Sequence, residues 1–204
     1  MTGLAPDRRA LLRVGFTLEW ITLAWNVVGV VILAVLAVTA SSVALAGFGL
    51  DSLIEIGAST VVIWELSATG VHRQRVALRL IGVAFVALAG YLLVQTAVAL
   101  LTGHRPDGSV GGIVWTGVTA LAMFVLAALK ARTGRALGNP VLQKEGRVTM
   151  IDGLLACAVL LGVLLNTLLG WWWADPAATL VIVYYAIREA VEIFRDPGAP
   201  TPPG

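Results

Sequence analysis

The chain has 204 residues, 58% of them hydrophobic and only 13% charged, with a formal net charge of +2. A soluble domain carries about 25% charged residues, so this composition excludes a water-soluble globular fold, and so small a charge, spread among loops, gives no basis for nucleic-acid binding. Cys157 is the one cysteine and lies in an apolar run, which excludes a disulfide or a thiolate metal cluster within one chain.

Apolar runs near 20 residues recur from end to end, the length that crosses a hydrocarbon core roughly 30 Å thick. They predict an all-α polytopic membrane bundle of six transmembrane helices forming one domain over 1–204. The spans fall at about 15–38, 43–66, 78–101, 112–130, 148–169 and 174–194. The longest polar segments are the first 13 residues, a loop from Lys130 to Arg147, and a Pro-rich tail after Asp196.

On the first span, Glu19, Thr22 and Asn26 form a polar stripe at helical spacing. Asn26 is the deeper position and suits either a carbonyl ligand or an interhelical hydrogen bond. The Val38-Thr39-Ala40 sequence imitates a signal-peptidase site, but the run before it is too long for an ordinary signal peptide, and no cleavage is expected. The second span carries Asp51 and Glu55 in its interior, four residues apart and so on one helix face. At 1.5 Å per residue, Asp51 lies about 13 Å from the start of the span and Glu55 about 6 Å further. An acid near the bilayer centre costs roughly 2.5–3.5 kcal/mol, and two on one face repel unless a cation or a shared proton joins them. Small neighbours, Gly47, Gly49, Gly57, Ala58 and Ser59, let another helix approach. Glu65, near the end of this span, is expected to pair with Arg73 or Arg75, and His72 and His104 fall in loops.

The fifth span offers a third buried acid. Glu145, Thr149 and Asp152 share one helical face, with Glu145 at the mouth and Asp152 deeper. Trp171, Trp172 and Trp173 follow, where indoles anchor at an interface, and Asp175-Pro176 reads as the N-cap and first turn of the sixth span. At its far end Glu189 and Glu192 lie at helical spacing from Arg188 and Arg195, a solvated helix end. Counted by side, thirteen of the fourteen basic residues fall together and Arg105 stands alone opposite. The positive-inside rule makes the crowded side cytoplasmic and puts both termini there.

The six-span topology, the pair Asp51-x-x-x-Glu55 and the fifth-helix region ending at Trp173-Ala174-Asp175-Pro176 resemble the cation diffusion facilitator family of proton-coupled metal transporters. The resemblance implies a transport site with two ligands from helix two and two from helix five. Asp51 and Glu55 take the helix-two positions and Asp152 the second helix-five position; the first is Val148 here, where the family often has His or Asp. It also implies a homodimer. A cytoplasmic ferredoxin-like domain usual in the family is not expected, since only a short tail follows Phe194, so the chain is similar to a compact, transmembrane-only relative.

These features lead to an expected secondary transporter of divalent metal cations, exchanging metal for protons by alternating access in a bacterial inner membrane. Asp51, Glu55 and Asp152 are the metal-binding candidates, with Asn26, Glu145 and Thr149 as supporting ones. All-oxygen ligation suits Mn²⁺, Mg²⁺ or Fe²⁺, and Zn²⁺ also accepts carboxylates. Metal and protons are cargo, no resident cofactor is expected, and the partners are the lipid bilayer and a second copy of the chain. The rival reading is a non-transporting membrane module or assembly partner, motivated by Val148. An intramembrane enzyme finds no support, because no Ser/His, His-Glu-x-x-His or Cys-centred arrangement occurs.

Overall fold

In the computed structural model the described residues are 8–39, 43–67, 71–103, 110–169, 171 and 174–195. Among them there are six helices and no strand: α1 Arg8–Thr39, α2 Val43–Leu66, α3 Val71–Thr102, α4 Val110–Leu137, α5 Pro140–Leu169 and α6 Ala174–Arg195. Positions 40, 104, 105, 172, 173 and 196, read above from the sequence, lie outside the described residues. The α6 helix opens at Ala174, one residue before the expected N-cap, a difference within the usual latitude of helix ends.

Helices α1, α3 (from His72) and α4 are each long and apolar enough to cross a membrane. With 24, 30 and 22 residues, α2, α5 and α6 run about 36, 45 and 33 Å at 1.5 Å per residue, enough to span the same core. The side-chain distribution is that of a protein dissolved in lipid. On α1 the buried face includes Glu19, Thr22 and Asn26, while Trp20, Ile21, Val27, Val28, Val31 and Val35 point outward. Polar groups turn inward because hydrocarbon offers them no hydrogen bonds.

Helices α2 and α5 are the middle of the bundle. The first packs on α1, α3 and α5, the second on α2, α3, α4 and α6, and α3 with α6 completes the far side. The two share an apolar cluster, with Ala58, Val62 and Leu66 of α2 in one core with Leu142, Val148, Ile151 and Leu155 of α5.

Four helices run beyond the expected spans, α1, α3 and α5 at their starts and α4 at its end. The largest departure is at Lys130–Arg147, which is a tight helical hairpin and not a polar loop. Gly138 has φ +62°, a conformation that glycine adopts without a steric penalty. Its N–H donates to Arg135 O at 3.1 Å and the next, Asn139 N–H, to Gly134 O at 2.9 Å, the paired bonds that close a helix C-terminus. Asn139 then caps α5, its Oδ1 accepting from Leu142 N at 2.9 Å, with Pro140 in the first helical position. The Gly-Asn-Pro triplet carries the signal for this turn; the surrounding charges mask it.

The membrane orientation is testable independently. Single cysteines placed in the Thr102–Gly111 connection should react with an impermeant thiol reagent from outside intact cells, and cysteines at 70–75 should react only after permeabilisation. Labelling of both from one side would overturn the six-span topology.

Candidate functional site

Along the inner faces of α1, α2, α4 and α5 runs a chain of buried polar groups. Glu19, Asp51, Glu55, Glu145 and Asp152 are all buried, as are Thr149, Ser59 and the lone cation among them, Lys130. The α4–α5 contact explains how Lys130 gets there. At Gly134, Gly146 and Gly153 an added Cβ would meet Gln143 at 2.8 Å, the Ala127 carbonyl at 3.2 Å and the Phe124 ring at 3.0 Å. Gly134 and Gly146 thus bring the two helices backbone to backbone, Gly153 makes room for the Phe124 ring, and Lys130, one turn along α4 from Gly134, is laid across α5.

Its ammonium is fully enclosed. It pairs with Glu145 Oε1, faces Glu19 Oε2 at 3.2 Å, and donates to Thr149 Oγ1 at 3.1 Å. Thr149 in turn donates to Glu55 Oε1 at 2.6 Å, and Ser59 donates to Glu145 Oε1 at 3.4 Å. One turn further along α2 and α5, the buried Asp51 and Asp152 carboxyls lie beside each other. Thus α2 supplies Asp51, Glu55 and Ser59, α5 supplies Glu145, Thr149 and Asp152, α1 supplies Glu19 and α4 supplies Lys130.

The expected ligands therefore converge on one polar chain but not on one point. Among the described residues no three His, Cys, Asp or Glu side chains form a group ready to hold a metal ion. Asp51 pairs with Asp152, while Glu55 is turned to Thr149. Repulsion between uncompensated carboxylates favours this division, which turns Glu55 to a hydroxyl and away from the two aspartates. Several oxygens nonetheless have no donor: Asp51 Oδ2, Glu55 Oε2, both oxygens of Asp152, and Glu145 Oε2. Such acceptors, buried and unpaired, are costly unless a cation or proton meets them.

Glu145 is no mouth residue; it is fully buried, one link from Glu55. Asn26 is buried, and its Nδ2 donates to Thr22 O of its own helix at 3.0 Å. Val148 packs in the apolar cluster. Two peripheral expectations are corrected. Glu65 accepts from Asn139 Nδ2 at 2.9 Å, while Arg73 lies over the Trp64 ring, 4.4 Å from its centroid. Glu189 and Glu192 bond across to α5 and not along α6, with Arg147 Nη1 at 2.6 Å from Glu189 and Lys144 Nζ at 2.6 Å from Glu192. In each case the side chain reaches a group on another helix that the sequence order does not display.

A bundle of membrane helices with a chain of buried acids at its centre defines a membrane protein built to handle charge inside the bilayer. Comparison with known proteins gives the family. Residues 20–198 match the model of the cation efflux transmembrane domain, and the chain belongs to that family. It is 23% identical over 116 residues to a cadmium, cobalt and zinc/H(+)-K(+) antiporter of Bacillus velezensis, covering 56% of this chain and 36% of that one. It is 22% identical over 187 residues to transmembrane protein 163 of Xenopus laevis, covering 87% and 65%. A third similarity, 32% over 154 residues, is to NADH-quinone oxidoreductase subunit N 2 of Streptomyces griseus, covering 65% of this chain and 29% of that one. The chain thus spans from about a third to about two thirds of the length of these relatives.

Proposed function

We propose that this protein is a secondary transporter that carries a divalent metal cation across the membrane in exchange for protons, with Asp51, Glu55 and Asp152 as the ligands. The observation that carries this reading is the Asp51–Asp152 pair. Carboxyls from the two central helices meet in a lipid-excluded interior, with open oxygens on both and no basic side chain paired to either among the described residues. Membership of the cation efflux family supports the cargo class, and the name of the Bacillus relative supports both metal and proton exchange.

The chemistry follows from charge balance. Five buried carboxyls face one buried ammonium, so they cannot all be ionised without further positive charge. When a metal enters, Asp51 and Asp152 give up their shared proton, and Glu55 swings from Thr149 to join them. When the metal leaves, protons return to the same oxygens. A site that must be either metallated or protonated exchanges one for the other as it faces the two sides in turn. All-oxygen ligands favour hard cations of the Mn²⁺ class, with Zn²⁺ also accommodated. We further propose a homodimer held by contacts between membrane helices and located in a bacterial inner membrane.

Flux measured in proteoliposomes, over a panel of divalent cations with an imposed pH gradient, tests the reading. Metal uptake driven by the gradient and collapsed by a protonophore is the expected result. The absence of flux and binding for every ion tested would favour the non-transporting module that Val148 suggests.

A further inference from the structure

Lys130 has no place in the metal site just described, yet it is the most tightly held charged side chain in the bundle. The Lys130 ammonium donates to Glu145 Oε1 and Thr149 Oγ1, and Glu19 Oε2 stands 3.2 Å from it as an ion pair. All of this is fully buried, with Glu19, Lys130, Glu145 and Thr149 each 0% exposed. Neither oxygen of Glu19 accepts a well-formed hydrogen bond, Glu145 lies beside it, and among the described residues the ammonium is the cation that pairs with it. Two carboxylates from different helices, with a hydroxyl between them, are what a hard divalent cation takes as ligands. That position is filled instead by a cation tethered to α4.

We propose that Lys130 is a resident cation occupying a second acidic position, between Glu19 and Glu145. It thereby limits the polar core to one mobile divalent ion, held at the Asp51–Asp152 end. Removing the ammonium while leaving the two glutamates should create a second divalent-cation site made of Glu19, Glu145, Thr149 and Ser59. The count of one ion in the unaltered protein rests on the function proposed above; the gain of an ion on removing Lys130 does not.

The test is the number of Mn²⁺ ions bound per chain, measured calorimetrically on the full protein in lipid nanodiscs, with a melting curve to verify folding. Lys130→Met should raise the count by one relative to the unaltered protein. Adding Glu19→Gln to it should remove that extra ion, and Lys130→Arg, which keeps a cation, should leave the count unchanged. Should Lys130→Met fail to fold, Lys130→Gln is read in the same way, since its amide still donates to Glu145 or Thr149. An unaltered protein that binds no Mn²⁺, with a gain from none to one in Lys130→Met, would overturn the transport reading and uphold this one. A folded Lys130→Met or Lys130→Gln variant with no extra ion would overturn the inference, because the two glutamates would then have been neutralised by protons. An extra ion indifferent to Glu19→Gln would overturn it as well.

Discussion

Asp51→Ala and Glu55→Ala should each reduce metal flux to that of protein-free liposomes, while the protein inserts and melts much as before. Both parts follow from the same geometry. Asp51 lies against Asp152 and has one oxygen without a donor, so deleting its carboxyl removes a proposed ligand and relieves a repulsion at one stroke. In general, removing an isolated buried acid from a bilayer interior is worth a few kcal/mol to insertion, which offsets the small cavity left behind. Glu55 accepts one short hydrogen bond from Thr149, and Thr149 retains Glu145 as an alternative acceptor at 3.2 Å. A variant that transports normally would show the acids to be structural.

Gly146→Leu should strongly destabilise the fold. The Cβ at this position would stand 3.2 Å from the Ala127 carbonyl oxygen, 3.2 Å from Ala131 N and 3.3 Å from Lys130 Cβ. Two of these three atoms are helix backbone and cannot turn aside, so α4 must move away from α5. Overpacking of this kind costs about 1–3 kcal/mol, and here it also draws Lys130 from Glu145, breaking a buried pair whose loss costs about 3–5 kcal/mol. Gly57→Leu is the control, since a Cβ there meets nothing within 4 Å. Thermal unfolding in mild detergent should show a fall of many degrees for Gly146→Leu and little change for Gly57→Leu. Equal melting temperatures would mean that the close α4–α5 contact does not hold the bundle together.

Much of this architecture is legible in the sequence because lipid imposes so strict a pattern. Six apolar runs become six helices, and Asp51, Glu55 and Asp152 stand out because hydrocarbon leaves no bland reason for an acid. Lys130 was the reverse. A basic residue at the end of an apolar run looks the same whether it reaches cytoplasm or turns inward, and it was counted with the loop charges. The hairpin would have revealed it. Gly138-Asn139-Pro140 marks a two-residue turn, and stepping back along antiparallel helices at equal rise puts Lys130 level with Arg147, two residues from both Glu145 and Thr149. The pairing of Glu189 and Glu192 with α5 was beyond reach for another reason: helical spacing shows which charges share a face, not which neighbouring helix covers it. The same limit hid the division of the three acids, since spacing places them near one another without saying whether a proton or a hydroxyl comes between.

The competition of protons with metal at Asp51, Glu55 and Asp152 is tested most directly by calorimetry of Mn²⁺ binding over a series of pH values. The sign is fixed by the ligands: a protonated carboxyl does not bind a cation, so affinity must weaken as pH falls. Each proton displaced changes the logarithm of the binding constant by about one unit per pH unit, over the range in which the acids take up protons. Because the acids interact, that range belongs to the cluster and not to one residue. Asp152→Asn should bind Mn²⁺ more weakly and with a shallower pH dependence, having lost one proton acceptor. An affinity independent of pH, or a profile unaltered by Asp152→Asn, would contradict proton exchange at the meeting point of α2 and α5.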